Sequence, residues 1–298
     1  MSLLQLLSRD RAAHRAASRL SAATTQSGLS PQRQRAAIEE AERVDRQQPD
    51  HFGLTFALGR AYERLASTVD WADRAAWIER ALQRYEQAVR LAQHGKVGGV
   101  AAVAAVHDAA WEPALDERER AVLAASFQAG VLLSAEFRVR DPAAGIEYLS
   151  RVTRAVQGYH PAWYYLGEAY LLSDQFDRAE AVWREALRRA PGDPALQSVL
   201  RNLPADRVHS AAKRGDWPRV LREIERLPDG AVPLGERLIV EGDAHLAMGE
   251  PVAAQRSWTM ALAADPGAVG VRSRLRKLAR RQERSATEGR TSESDTVE

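Results

Sequence analysis

The chain has 298 residues, 45% of them hydrophobic and 28% charged, with 42 basic against 40 acidic side chains and a formal net charge of +2. Hydrophobic content of this order belongs to folded chains. The near-balance of charge gives no chain-wide argument for a polyanion partner, and the absence of cysteine excludes disulfides and cysteine-zinc sites. No stretch approaches the roughly 18 consecutive apolar residues of a membrane span; the Ala/Val run at 97–106 is short and holds glycines. Only a few apolar residues precede Arg9 and Asp10, so the N-terminus makes a poor signal peptide and a cytoplasmic protein is expected. Lysine occurs only at Lys96, Lys213 and Lys277, so 39 of the 42 cations are arginine, a bias of GC-rich, bacterial-type genomes.

Helix-favouring windows rich in Ala, Leu, Glu and Arg run through the chain. In 1–29, Leu3, Leu6 and Leu7 precede Arg9, Arg11, Arg15 and Arg19, an amphipathic helix or arm that either touches a membrane surface or packs on the first repeat. A helix at 36–44 stops before Pro49-Asp50. Leu58, Gly59 and Tyr62 mark another helix, and Ala81, Tyr85 and Ala88 its partner. His94–Gly99 (HGKVGG) reads as a flexible connection after a segment at 30–94. Within 95–157, Ala129-Gly130, Leu133, Asp141-Pro142 and 146–156 outline an irregular helical pair. At 160–191, Trp163, Leu166, Gly167 and Tyr170 lie on one helix and Ala179, Trp183 and Ala186 on the next, with Ser173-Asp174-Gln175 breaking between them and Pro191 ending the unit.

Those eight residues at 160–191 occupy the signature places of the tetratricopeptide repeat, with Trp183 where the pattern usually has Phe, and the segment resembles that family. The small Gly167 and Ala179 allow two antiparallel helices to approach, and one such pair must stack on neighbours to bury its apolar face. At 238–266, Leu238, Gly242, Ala254, Trp258, Ala261 and Pro266 fall on the same places, with Glu241 and His245 as departures. A degenerate unit lies between, with Gly215-Asp216 at its turn and Val220, Ile224 and Leu227 on its second helix. By the same comparison the unit at Gly59 carries about ten inserted residues at Ser67–Trp77. Trp71 and Trp77 in that insertion either form an exposed binding surface or pin it to the stack. Beyond the repeats of 158–267, Val271, Leu275 and Leu278 predict a capping helix at 268–284, and 285–298 reads as a disordered polar tail. The expected fold is an all-α, tetratricopeptide-like α-α superhelix of about five irregular pairs with a C-terminal capping helix.

The resemblance implies a non-catalytic scaffold or adaptor that binds another protein, as a component of a multiprotein complex, on the concave face of its first helices. Places five, nine and twelve of those helices are Phe56, Arg60 and Glu63; Tyr164, Glu168 and Leu171; and Ile239, Asp243 and Leu246. Such a wall mixes apolar anchors with charges and suits a peptide segment, or it is solvated or covered by the chain's own helices. The paired Asn and Lys of carboxylate-clamping repeats are missing, since Glu168 occupies place nine and Asn202 is the single asparagine. A second reading is a subunit of a nucleoprotein assembly. There Arg272, Arg276, Lys277, Arg280, Arg281 and Arg284 of the basic helix, with Arg274, would meet phosphates; the alternative is a solvated cap. An enzyme is not expected. His14, His51, His94, His107, His160, His209 and His245 include no pair at metal-ligand helical spacing, and no phosphate loop, dinucleotide fingerprint or nucleophile elbow is present. No cofactor or metal is predicted.

Overall fold

The computed structural model describes residues 3–25, 30–98, 115–136 and 139–294. These described residues form thirteen α-helices and no strand. The helices are α1 (Leu3–Thr25), α2 (Pro31–Asp45), α3 (Phe52–Ala66), α4 (Trp71–Gln93), α5 (Glu117–Ala135), α6 (Pro142–Ala155), α7 (His160–Leu172), α8 (Phe176–Arg189), α9 (Pro194–Lys213), α10 (Trp217–Glu225), α11 (Leu234–Ala247), α12 (Pro251–Ala264) and α13 (Val271–Ser294). The chain divides into two compact units, Met1–Leu196 and Gln197–Glu298. Most of the Ala/Val run at 97–106, and Trp111, lie outside the described residues.

A single contact repeats through both units. A glycine in the first helix of a pair faces a bulky side chain of the second. A Cβ placed on Gly59 would stand 2.8 Å from Tyr85, on Gly130 2.7 Å from Leu149, on Gly167 2.0 Å from Trp183 and on Gly242 2.4 Å from Trp258. Four residues before each bulky side chain stands a small buried one: Ala81, Gly145, Ala179 and Ala254. The pairs α3–α4, α5–α6, α7–α8 and α11–α12 therefore share one register, although only α7–α8 carries the full signature. Two of the tryptophans also donate back across the pair, Trp183 Nε1 to the Tyr164 carbonyl (3.0 Å) and Trp258 Nε1 to the Ile239 carbonyl (3.3 Å). The buried indole is thus satisfied as well as packed.

The turns repeat as well. Asp174 (φ 57°), Gly215 (φ 72°) and Gly249 (φ 80°) each leave a first helix in the left-handed region. Paired bonds close each end: Gln175 N to Tyr170 O with Asp174 N to Leu171 O, Asp216 N to Ala211 O with Gly215 N to Ala212 O, and Glu250 N to His245 O with Gly249 N to Leu246 O. This hydrogen-bonded stop satisfies carbonyls that the helix end would leave open.

In the first unit, α1 packs on both α2 and α3, so the predicted N-terminal arm is the first helix of a pair. Its contribution is small side chains, Ala13, Ala16 and Ala17 with Leu20, all buried. Helix α3 is consequently enclosed by α1, α2 and α4 and is buried almost all round, from Phe52 to Gly59 without a break. A helix apolar on every face is a core helix. The predicted insertion is helical. Gly59 and Tyr85 are 26 residues apart, whereas Gly167 and Trp183 are 16 apart. Most of the extra length lies in α4, 23 residues long against 14 for α8. Trp77 is pinned, its ring 5.6 Å from that of Tyr62 with the Arg80 guanidinium 4.7 Å above it. Trp71, the first residue of α4, is 73% exposed.

His51 caps α3: its Nδ1 accepts the Leu54 amide at 3.1 Å, which requires a ring unprotonated on that nitrogen. Burial lowers its pKa, against the smaller opposing pull of Asp10, whose Oδ1 lies 3.6 Å from Nε2. The unfolded chain therefore takes up this proton before the folded one, and the stability it contributes is present above the ordinary value of 6.5 and lost as pH falls below it. A His51→Asn variant keeps a capping acceptor without titrating. Between pH 7.5 and 5.5 its melting temperature should fall less than that of wild type; equal falls would remove His51 from the pH response.

In the second unit, Val208 and Ala211 of α9 pack with Val220 and Ile224 of α10 and Ala244 of α11, the degenerate pair foreseen between the two clearer ones. Val271 and Leu278 of α13 join Trp258 in a buried cluster, so α13 covers the α11–α12 pair as a cap. The cap does not end at 284: its helix runs to Ser294, which replaces the disordered tail expected from 285 onward over ten of its residues. Positions 295–298 lie outside the described residues.

Candidate functional site

The nine predicted wall residues have three different fates. On α3, Phe56 is a core residue, 2% exposed, with its ring 5.9 Å from Phe52 and 5.4 Å from Tyr85. That corrects its assignment as a partner contact: α3 is enclosed where a wall helix would present it. Arg60 and Glu63 are half-buried. Glu63 accepts the Tyr85 hydroxyl at 2.7 Å, and burial raises its carboxyl above the usual range despite that bond and the nearby Arg60. Arg60 Nη1 is buried and meets no hydrogen-bond acceptor among the described residues.

On α11, Asp243 is bound by the capping helix. Arg274 Nε donates to its Oδ1 at 2.7 Å and Nη2 to its Oδ2 at 2.9 Å, a two-pronged charge-assisted pair. Ile239 and Leu246, on either side of it in the pattern, pack into the cluster that Val271 and Leu278 build. All three α11 positions thus face the chain's own α13. His245, in the aromatic place, sits between two carboxylates, with Nδ1 2.7 Å from Glu250 and Nε2 3.8 Å from Glu241. It is a half-buried side chain held by these two acids, and no group of three potential metal ligands occurs among the described residues.

On α7, Tyr164, Glu168 and Leu171 are all half-exposed and, at intervals of four and three, share one face. Tyr164 stands perpendicular to Tyr165 at 5.3 Å, Tyr165 meets Phe127 of α5 at 6.2 Å, and Phe127 meets Tyr159 at 4.9 Å. Through Tyr165 and Phe127 this aromatic chain ties α7 to α5. Burial raises the Tyr164 and Tyr165 hydroxyl pKa values, and Glu168 raises both further; Glu63 of α3 also acts on Tyr165. The α3 and α7 acids therefore border the same aromatic strip. Sequence reasoning missed Phe127 and Tyr165, although Phe127 occupies place five of α5 counted from Gly130.

A second concavity was not foreseen. Helix α2 contributes Arg35, Ile38, Glu39 and Glu42, and the lengthened α4 contributes Asp73, Ala76, Trp77 and Arg80, to a cleft of about 430 Å³. Its floor is apolar and its rim carries both signs.

The predicted anion-binding residues lie on α13. Arg272 donates to the Pro266 carbonyl (3.0 Å) and Arg276 Nε to the Arg272 carbonyl (3.3 Å). Lys277, Arg280, Arg281 and Arg284 are exposed. No described helix is long and apolar enough to cross a membrane.

Residues 137–203 match the family model described as "Tetratricopeptide repeat". No curated protein matches the chain. Among solved structures it is similar to a tetratricopeptide repeat protein from Parabacteroides merdae, at 12% identity over 83% of this chain and 92% of that one, with a TM-score of 0.27. It is also similar to the C-terminal part of a TPR repeat-containing protein from Cytophaga hutchinsonii, at 16% identity over 87% and 98%, TM-score 0.32. A third similar structure is TTC0263, a thermophilic TPR protein of Thermus thermophilus, at 18% identity over 83% and 91%, TM-score 0.28.

Proposed function

We propose that the chain, whose residues 137–203 match the tetratricopeptide-repeat model, is a non-catalytic, cytoplasmic scaffold of that kind that captures one partner protein on the α7 wall. One observation carries this reading. Of the three wall triplets, that of α7 alone keeps all its side chains half-exposed without a core or capping role: Phe56 of α3 is core, and the α11 triplet is engaged by α13. Tyr164 and Leu171 offer an amphipathic ring and an aliphatic anchor one turn on either side of Glu168. The segment that fits places an apolar side chain between them and a hydrogen-bond donor or cation beside the carboxylate. The aromatic chain behind Tyr164 supplies preorganisation, which lowers the ordering cost of binding.

The test is affinity capture from native cell extract with mass spectrometry, comparing wild type with a Tyr164→Ala/Leu171→Ala double variant. A stoichiometric protein retained by wild type and reduced at least about tenfold by the variant is expected, since truncating two anchors removes some 2 kcal/mol or more. Equal retention by a variant with an unchanged melting curve would sink the reading.

A further inference from the structure

The two faces of α13 are occupied very differently. Val271, Leu275 and Leu278 point into the second unit's core, and Arg274 is spent on Asp243. Arg276, Lys277, Arg280, Arg281 and Arg284 are all exposed. At 3.6 residues per turn they spread over an arc of roughly 140° on the side opposite the apolar residues, along about 12 Å of helix. Between Arg276 and Arg284 no acidic side chain stands within that arc; Glu283 lies at its edge. The chain-wide charge of +2 hides this concentration of five cations within 276–284.

The geometry points to a nucleic-acid duplex, held through its phosphodiester backbone, as the occupant of this outer face. Charge complementarity demands a polyanion, and the shape of the cationic arc selects among them. A membrane surface binds an amphipathic helix by taking up its apolar stripe, but here that stripe is buried against Trp258 and its neighbours. An extended acidic peptide follows one line along a helix, so it would address one edge of the arc and leave the other cations unpaired. The major groove of B-form DNA is wide enough to admit a helix and offers phosphates on both walls. The face holds no aromatic, asparagine or glutamine side chain, Gln282 being on the inner side. Base stacking and adenine readout are therefore missing, and attachment is independent of sequence. The bidentate Arg274–Asp243 pair fixes the angle at which the helix leaves the stack. None of these residues belongs to the α7 wall, and the failure of this assignment would leave that reading intact.

The experiment is fluorescence anisotropy of the full chain with short DNA and RNA duplexes across about 50 to 200 mM salt. Each neutralised phosphate contributes a slope of about −0.9 in log K against log salt. Wild type should show a slope of about −4.5, and an Arg280→Gln/Arg281→Gln/Arg284→Gln variant a slope of about −2 with at least about tenfold weaker binding at the lowest salt. An Arg→Lys triple at the same positions should keep the wild-type slope, which separates charge from folding. Tighter binding of one duplex type identifies the natural source. Absence of binding at the lowest salt, equal slopes for wild type and the Gln variant, or equal or stronger binding to poly-glutamate or phosphatidylserine vesicles would each overturn the assignment.

Discussion

Replacing Gly167 by alanine is expected to destabilise the α7–α8 pair by about 3–5 kcal/mol, an unusually large effect for adding one methyl group. The added Cβ would lie 2.0 Å from Trp183 Nε1 and 2.2 Å from the adjoining ring carbon, inside any tolerable contact. Helix α7 cannot retreat without losing its own packing, so the indole must move. It is fully buried, and its Nε1 donates to the Tyr164 carbonyl at 3.0 Å. Displacement therefore combines overpacking, about 1–3 kcal/mol, with a buried donor left unsatisfied, about 1–3 kcal/mol. Trp183→Ala should cost a similar amount, about 3–5 kcal/mol, through the cavity it leaves. The two changes share one contact, so the double variant should be less destabilised than the sum by about 2 kcal/mol. Urea unfolding gives the energies, and hydrogen exchange of the α7 and α8 amides assigns them to this pair. An additive double variant, or a Gly167→Ala protein as stable as wild type, would show that the glycine–indole approach does not set the register.

That contact also explains how much of the fold was legible beforehand. The repeat signature is a list of small residues facing large ones, and where both survive, as at Gly167–Trp183 and Gly242–Trp258, sequence spacing alone located the pair. Where the bulky partner is an aliphatic Leu149 and the usual small alanine a glycine, the same geometry was visible only as an irregular pair. Helix α1 meets its neighbours through alanines, which carry no signature, and so it read as an arm. The insertion was sized from the count between Tyr62 and Ala81, but its form was not readable. A turn at Ser67–Asp70 lets most of the extra residues extend α4, whose continuation keeps its backbone bonded. The site was less legible than the fold. A local period says which face of a helix is which, but not how many other helices lie on that face. The pairing of Arg274 with Asp243, 31 residues apart, is a fact of the third dimension that neither residue's own neighbours announce.

Phe56 and Leu171 make the same point as a measurable contrast, because a repeat alignment treats both as wall positions. Phe56→Ala should cost about 3–5 kcal/mol, the range for deleting a buried ring. The ring is 2% exposed and in contact with two others, and α1 leaves it no route by which solvent could fill the gap. Leu171→Ala, half-exposed at the end of α7, should cost no more than about 1 kcal/mol. Partner capture should respond in the opposite order: Leu171→Ala weakens it while the protein stays folded, and Phe56→Ala weakens it only so far as the first unit unfolds. Urea unfolding and capture measured on the same two proteins separate the cases. If Phe56→Ala were stable yet lost its partner, α3 would have to expose its wall in solution, and the enclosure by α1 would be a covering that the partner displaces. If Leu171→Ala unfolded the unit, α7 would be as enclosed as α3, and the partner surface would have to be sought on the cleft between α2 and α4. Both residues occupy wall places of a first helix, five for Phe56 and twelve for Leu171, and the large expected difference between them follows from the helices packed around each.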